Sequence, residues 1–217
     1  MSHHGKLPNQ LFYLSLRVCE EILGENGLVS ILNFAGLKKF IDNYPPNDFE
    51  MVHDAKDFTG LATTFVEVLG EQGARAIMFK AGKRGFDLMV EVAPTLFNIE
   101  GIKPKEFTSE RKFDEFLKMY KTMTDTSVAI FGDVYTLLEQ EVGMILDISP
   151  CCLCAGMKTE KEMCFIQTGF MHGAAAWILG EETKVEEILC MAKGDDRCQF
   201  VVYSRRIDVG SEKNVFD

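Results

Sequence analysis

The sequence predicts an α+β fold, on three observations. Apolar residues recur at helical spacing through the first half, short runs of strand length follow, and residues 184–205 have the pattern of a β-hairpin. Leu11, Leu14, Val18 and Ile22 define a first helix, and Leu28, Leu32, Ala35 and Phe40 a second, with Gly24 and Gly27 punctuating the gap. Tyr44-Pro45-Pro46-Asn47 ends that second segment. Thr59 to Gly70 reads as a third helix with Leu61, Phe65 and Val68 on one face, and Ala81-Gly82-Lys83-Arg84-Gly85 reads as a turn. Phe107 to Met123 is amphipathic, with Phe113, Phe116 and Tyr120 on one side. Short strands are expected at Ser127 to Phe131 and Gly143 to Ser149.

The last third is better defined. Cys164 to Leu179 is a long, almost uncharged stretch that stops at Gly180, as helices often do. Lys184 to Lys193 and Arg197 to Arg205 then flank Gly194-Asp195-Asp196, a hairpin with a Gly/Asp loop. Neither an internal repeat nor a low-complexity linker interrupts the chain, so one domain is expected over residues 1–208, with a flexible tail at 209–217.

Composition narrows the function classes. With 23 Lys and Arg against 33 Asp and Glu, the net charge is −10, the wrong sign for sequence-independent binding to phosphate backbones or anionic membranes. No apolar run is long enough to span a bilayer, and the N-terminus lacks a secretory segment. The seven cysteines are an odd number, and six fall between Cys151 and Cys198. That clustering suits reduced thiols in a cytoplasmic protein better than a secreted disulfide framework.

Cys190 and Cys198 lie symmetrically about Gly194, so a hairpin centred there sets them opposite one another on adjacent strands. Zinc takes four tetrahedral ligands from thiolate, imidazole and carboxylate. Cys164 is the candidate third thiolate, Cys154 a reserve, and Glu186 or Glu187 the carboxylate. Strict strand alternation favours Glu186; Glu187 requires a bulge. Cys151-Cys152-x-Cys154 is dense enough for a second metal or thiol exchange, but has no fourth ligand nearby in sequence.

From Cys164 the chain reads Cys-x-x-Gln-x-Gly-Phe-x-x-Gly, then Gly180, then Glu187-x-x-Cys190-x7-Cys198. This resembles the vinyl-4-reductase domain family, in particular the ligand-sensing domains of aromatic-responsive transcription activators. The resemblance implies zinc held by Cys164, Glu187, Cys190 and Cys198. It also implies the fold of nitric-oxide-sensing and vesicle-tethering proteins, in which helices pack on a twisted antiparallel sheet around an apolar pocket. Such domains usually dimerise. A site closed by four protein ligands has no open position for substrate, so zinc would be structural.

The supply of 17 Phe and 11 Met suits an adaptable pocket for a hydrocarbon, aromatic or tetrapyrrole-like molecule. One wall is expected on the glycine-rich helix, at Phe170, His172, Gly173, Ala176 and Trp177. Positions 169, 173, 176 and 180 share a face of Gly and Ala, which either leaves room for a ligand or lets another element pack closely. The expected function is a zinc-stabilised, non-enzymatic sensor or carrier of a small molecule. The alternatives are an enzyme or assisting subunit in tetrapyrrole metabolism, using His172 and the Cys151 cluster, and a dimeric protein scaffold.

Overall fold

Two glycines with left-handed backbone divide the long helices of the first half. Helix α1 (Asn9–Phe34) breaks at Gly24, with φ 72° and ψ 166°, and α2 (Ala55–Val92) breaks at Gly70, with φ 70° and ψ 167°. Side chains are strained in that region, so glycine is what lets the chain bend there. Both breaks fall where the sequence punctuates its apolar pattern. The computed structural model describes residues 6–92, 94–95, 99–131, 135–140, 143–154, 156–180 and 183–204. The expected tail at 209–217 lies outside the described residues.

A short antiparallel pair, β1 (Lys6–Pro8) and β2 (Met51–Asp54), leads into the two helices. After α3 (Lys112–Phe131) come β3 (Tyr135–Gln140), β4 (Gly143–Ile148), α4 (Phe165–Ile178), β5 (Val185–Leu189) and β6 (Cys198–Tyr203). Strands β3 to β6 form one antiparallel sheet in the order β3-β4-β6-β5. Its two central strands are the most buried, with Met144, Leu146, Phe200 and Val202 joining a core that also takes in Phe12, Phe58, Phe86 and Phe116 from the helices. The architecture is therefore α+β, with helices against an antiparallel sheet.

Two expectations are corrected. Ala81 to Gly85 is not a turn: it lies in the second half of α2. The glycine pattern there serves packing, because α2 lies along α4 more extensively than any other two elements meet. A Cβ on Gly82 would overlap the Ile166 carbonyl and stand 2.7 Å from the Phe170 amide nitrogen, while one on Gly169 would overlap the Phe79 carbonyl. Each helix thus presents a glycine to the other's backbone. Ser127 to Phe131 is not a strand either; it is the last turns of α3. Met123, Thr124 and Ser127 line one cavity together, at helical spacing from Tyr120, and this contact outweighs local strand propensity.

This packing predicts opposite outcomes for two conservative changes. Gly169→Ala is expected to destabilise the chain by about 1–3 kcal/mol or more, because backbone must move to admit the methyl. Gly60→Ala, also within α2 but with nothing within 4 Å of the new Cβ, is expected to stabilise it by about 0.5–1 kcal/mol. Urea unfolding of the two variants checks the pair.

Candidate functional site

The cysteines that the sequence clusters are also clustered in space. Cys151 and Cys154 lie in the loop after β4, Cys164 caps the start of α4, Cys190 follows β5, and Cys198 opens β6. All five are buried. Sulfur–sulfur separations are 3.7 Å for Cys151–Cys164, 3.4 Å for Cys154–Cys198 and 3.7 Å for Cys164–Cys198. Two thiolates on one tetrahedral ion with Zn–S near 2.3 Å stand about 3.8 Å apart. The spacing is compatible with a metal-ligand cluster.

The hairpin supplies the carboxylate through an irregularity. Strand β5 pairs Glu186 with Val201 and Glu187 with Phe200, then shifts so that Leu189 meets Gln199. In a regular strand Glu187 and Cys190 would point to opposite faces; the extra residue, Ile188, turns them to the same one. Glu186 is directed elsewhere, where it accepts the Tyr203 hydroxyl at 2.8 Å and pairs with Lys184 at 2.9 Å. Glu187 Oε2 accepts the Cys164 amide at 2.9 Å, while its buried Oε1 has no hydrogen-bond partner. Burial, reinforced by the charge of the neighbouring Cys190, pushes the Glu187 carboxyl up to about 9. An orphaned carboxylate oxygen aimed at thiols is what a bound cation would satisfy.

Two groups of four donors each lie within 4.8 Å of one another: Cys164, Glu187, Cys190 and Cys198, and Cys151, Cys154, Cys164 and Cys198. The structure thus brings together the four ligands implied by the family resemblance, along with the reserve ligand Cys154. Hydrogen bonds from Cys151 and its neighbours hold the Cys154 thiol well below its usual range, and contacts led by Cys151 push Cys164 and Cys198 up. One thiolate resists the ionisation of those beside it, and a cation is what lets several ionise together. The Met191 amide donates to Cys198 Sγ at 3.4 Å, and Gly194, at φ 106°, closes the turn that places it. Cys19, far from this cluster in sequence, is an ordinary buried thiol pushed up to about 12 by burial.

Beside the cluster lies a cavity of about 220 Å³ between α1, α2, α3 and α4, floored by Leu146 of β4. Its lining is overwhelmingly apolar, including Phe58, Phe65, Met78, Met89 and Met123. Of the five residues expected at the pocket, only Phe170 lines it. His172 meets the Phe79 ring at 5.3 Å, and Trp177 the Phe86 ring at 5.8 Å. A Cβ on Gly173 would stand 3.1 Å from Phe86 Cβ and 3.2 Å from the Lys83 carbonyl. The small-residue face of α4 is therefore a packing face against α2, and the cavity opens on the adjacent side, at Ile166, Gln167 and Phe170.

Two polar residues of the cavity, Gln167 and Tyr120, are not among those expected at the pocket. Gln167 Nε2 donates to the Tyr120 hydroxyl at 3.4 Å, and burial pushes that phenol far above its ordinary range. Gln167 stands in the Cys-x-x-Gln motif, which signalled it; Tyr120 was legible only as an apolar helix position.

Comparison with known proteins agrees with this geometry. Residues 144–203 match the family model of the vinyl-4-reductase domain. An uncharacterised protein of Methanocaldococcus jannaschii is 37% identical over 59 residues, which are 27% of this chain and 33% of that protein. The match thus spans about a third of the length of that curated relative. The phenol-responsive sensory domain of the transcription activator PoxR, solved with phenol, superposes with a TM-score of 0.50 at 17% identity, over 70% of this chain and 74% of that one. The H-NOX from Shewanella woodyi, solved bound to IWP-051 in the Fe(II)CO ligation state, gives 0.56 at 14% identity, over 96% of this chain and 99% of that one. At such identities the likeness is one of fold.

Cys164 and Cys198 each belong to both groups of donors, so loss of either reaches both groups. Cys198→Ser is expected to strip bound divalent metal from the purified chain and to lower the melting temperature by roughly 10 °C, equivalent to about 3–5 kcal/mol at this length. Elemental analysis and calorimetry of the reduced protein check this; an unchanged metal content would refute it.

Proposed function

We propose that this chain, with its vinyl-4-reductase domain match at residues 144–203 on an H-NOX-like α+β fold, is a small-molecule sensor or carrier. It takes a monocyclic aromatic or hydrocarbon ligand in the cavity beside the cysteine cluster, and structural zinc is held by Cys164, Glu187, Cys190 and Cys198. The cavity is the observation that carries this reading. It lies between four helices, is apolar over most of its wall, and carries a Gln167–Tyr120 polar pair where a hydroxyl or ring edge can be oriented. A volume of about 220 Å³ is closer to the about 150 Å³ that holds benzene than to a drug-sized site.

The tetrapyrrole alternative fits less well. Among the described residues no histidine lines the cavity, and Cys19, which does, is held protonated by burial. The thiols of the cluster favour a reducing, cytoplasmic setting. No helix among the described residues is long and apolar enough to cross a membrane. The family resemblance supports a homodimer, which the solution mass would test.

A sensor needs its ligand site to act on something else, and here the wall provides the connection. Leu153 lines the cavity from within the Cys151–Cys154 loop, and Ile166 does so two residues after Cys164. A ligand that displaces either residue shifts a cluster cysteine.

Filling the cavity tests the reading. Gly85 lines it, and a Cβ there meets nothing within 4 Å. Gly85→Phe is expected to weaken binding of toluene, phenol or an apolar fluorophore by roughly tenfold or more, with metal content and melting temperature preserved. Gly173→Leu, on the packing face, is expected to unfold the chain instead. Wild-type protein that binds none of these probes would overturn the proposal.

A further inference from the structure

The proposed zinc site uses three of the five clustered thiols and leaves Cys151 and Cys154 unassigned. These two are not peripheral. Cys151 Sγ stands 3.7 Å from Cys164 Sγ and Cys154 Sγ 3.4 Å from Cys198 Sγ, and all four sulfurs lie within 4.8 Å of one another. They form a complete tetrad of buried thiols, and it shares the Cys164–Cys198 edge with the first.

We infer that the six donors form a thiolate-bridged dinuclear centre for two divalent, thiophilic ions. Cys164 and Cys198 bridge. Glu187 and Cys190 complete one tetrahedron, and Cys151 and Cys154 complete the other. The inference rests on the first site being a metal site, and it adds the second ion.

Three features support two ions over one. First, the shared edge is 3.7 Å long, the separation two sulfurs have when both bind the same tetrahedral ion, and that edge can serve a tetrahedron on either side. Second, charge permits it. The second ion brings two positive charges and displaces the protons of two thiols, so the net formal charge of the buried centre is unchanged. Third, the surroundings are arranged for bridging sulfur. Cys198 accepts the Met191 amide at 3.4 Å, and Cys164 sits at the N-terminus of α4, where the helix dipole favours anionic sulfur. The Cys151 amide is turned to Met191 Sδ at 3.3 Å, which anchors the loop carrying the second pair. The second ion would also fix Leu153, and so one wall of the cavity.

The test is a titration of the full, reduced, metal-free chain with Cd²⁺ under anaerobic conditions, read by native mass and by thiolate-to-cadmium absorption. Two ions per chain are expected, and one in each of two double variants, Cys151→Ser with Cys154→Ser and Glu187→Gln with Cys190→Ser. A chain that saturates at one ion overturns the dinuclear centre. The two double variants then separate that failure from a failure of the first site: if only the Cys151/Cys154 variant loses the ion, the Cys164, Glu187, Cys190, Cys198 assignment fails as well.

Discussion

The close approach of α2 and α4 is the constraint on which the rest of the structure depends. Gly82 meets the α4 backbone and Gly169 the α2 backbone, each at a point where one methyl group would force the helices apart. With no side chain between the helices at these two points, the contact fixes their rotation as well as their distance. That rotation turns Ile166, Gln167 and Phe170 toward the cavity and leaves the start of α4, at Cys164, against the sheet. Cavity wall and clustered cysteine are thus positioned by one contact.

The sheet contributes through a departure from regularity. The bulge at Ile188 costs β5 a ladder position and gains a carboxylate on the cysteine face. Without it Glu187 would lie on the far side of the strand and Glu186 would occupy its place. The orphaned Oε1 of Glu187 and the crowded thiols are each unfavourable alone. A cation converts both into ligands, so the cluster stores a preference for metal that a set of apolar residues would not have.

Cavity and cluster are neighbours that share residues in sequence rather than a common space. Leu153 and Ile166 reach the cavity while Cys154 and Cys164 reach into the cysteine cluster. A ligand in the cavity and a metal in the cluster would therefore act on the same two short segments, a direct route for one to influence the other. The apolar lining and modest volume favour small rings, and the Gln167–Tyr120 pair offers them a point of polar recognition.

Much of the C-terminal third is legible in the sequence: the α4 stretch and its stop at Gly180, the hairpin about Gly194, and the opposition of Cys190 and Cys198 across it. These are legible because each rests on local spacing, whether a helical period, a turn residue or a pair of positions symmetric about a loop. Tertiary structure decided the rest. The small-residue face of α4 was compatible with either a ligand or a helix, and only the position of α2 settled it as packing. Gly82 and Gly85 looked like turn residues because glycine breaks helices in isolation, whereas here Gly82 serves contact between two. The choice of Glu187 over Glu186 required a bulge that alternation cannot foresee. The meeting of Cys151 and Cys154 with Cys164 and Cys198 required chain crossings that no spacing encodes. Side-chain period and turn chemistry act over a few residues; a cavity and a shared tetrad depend on which distant backbones are brought together.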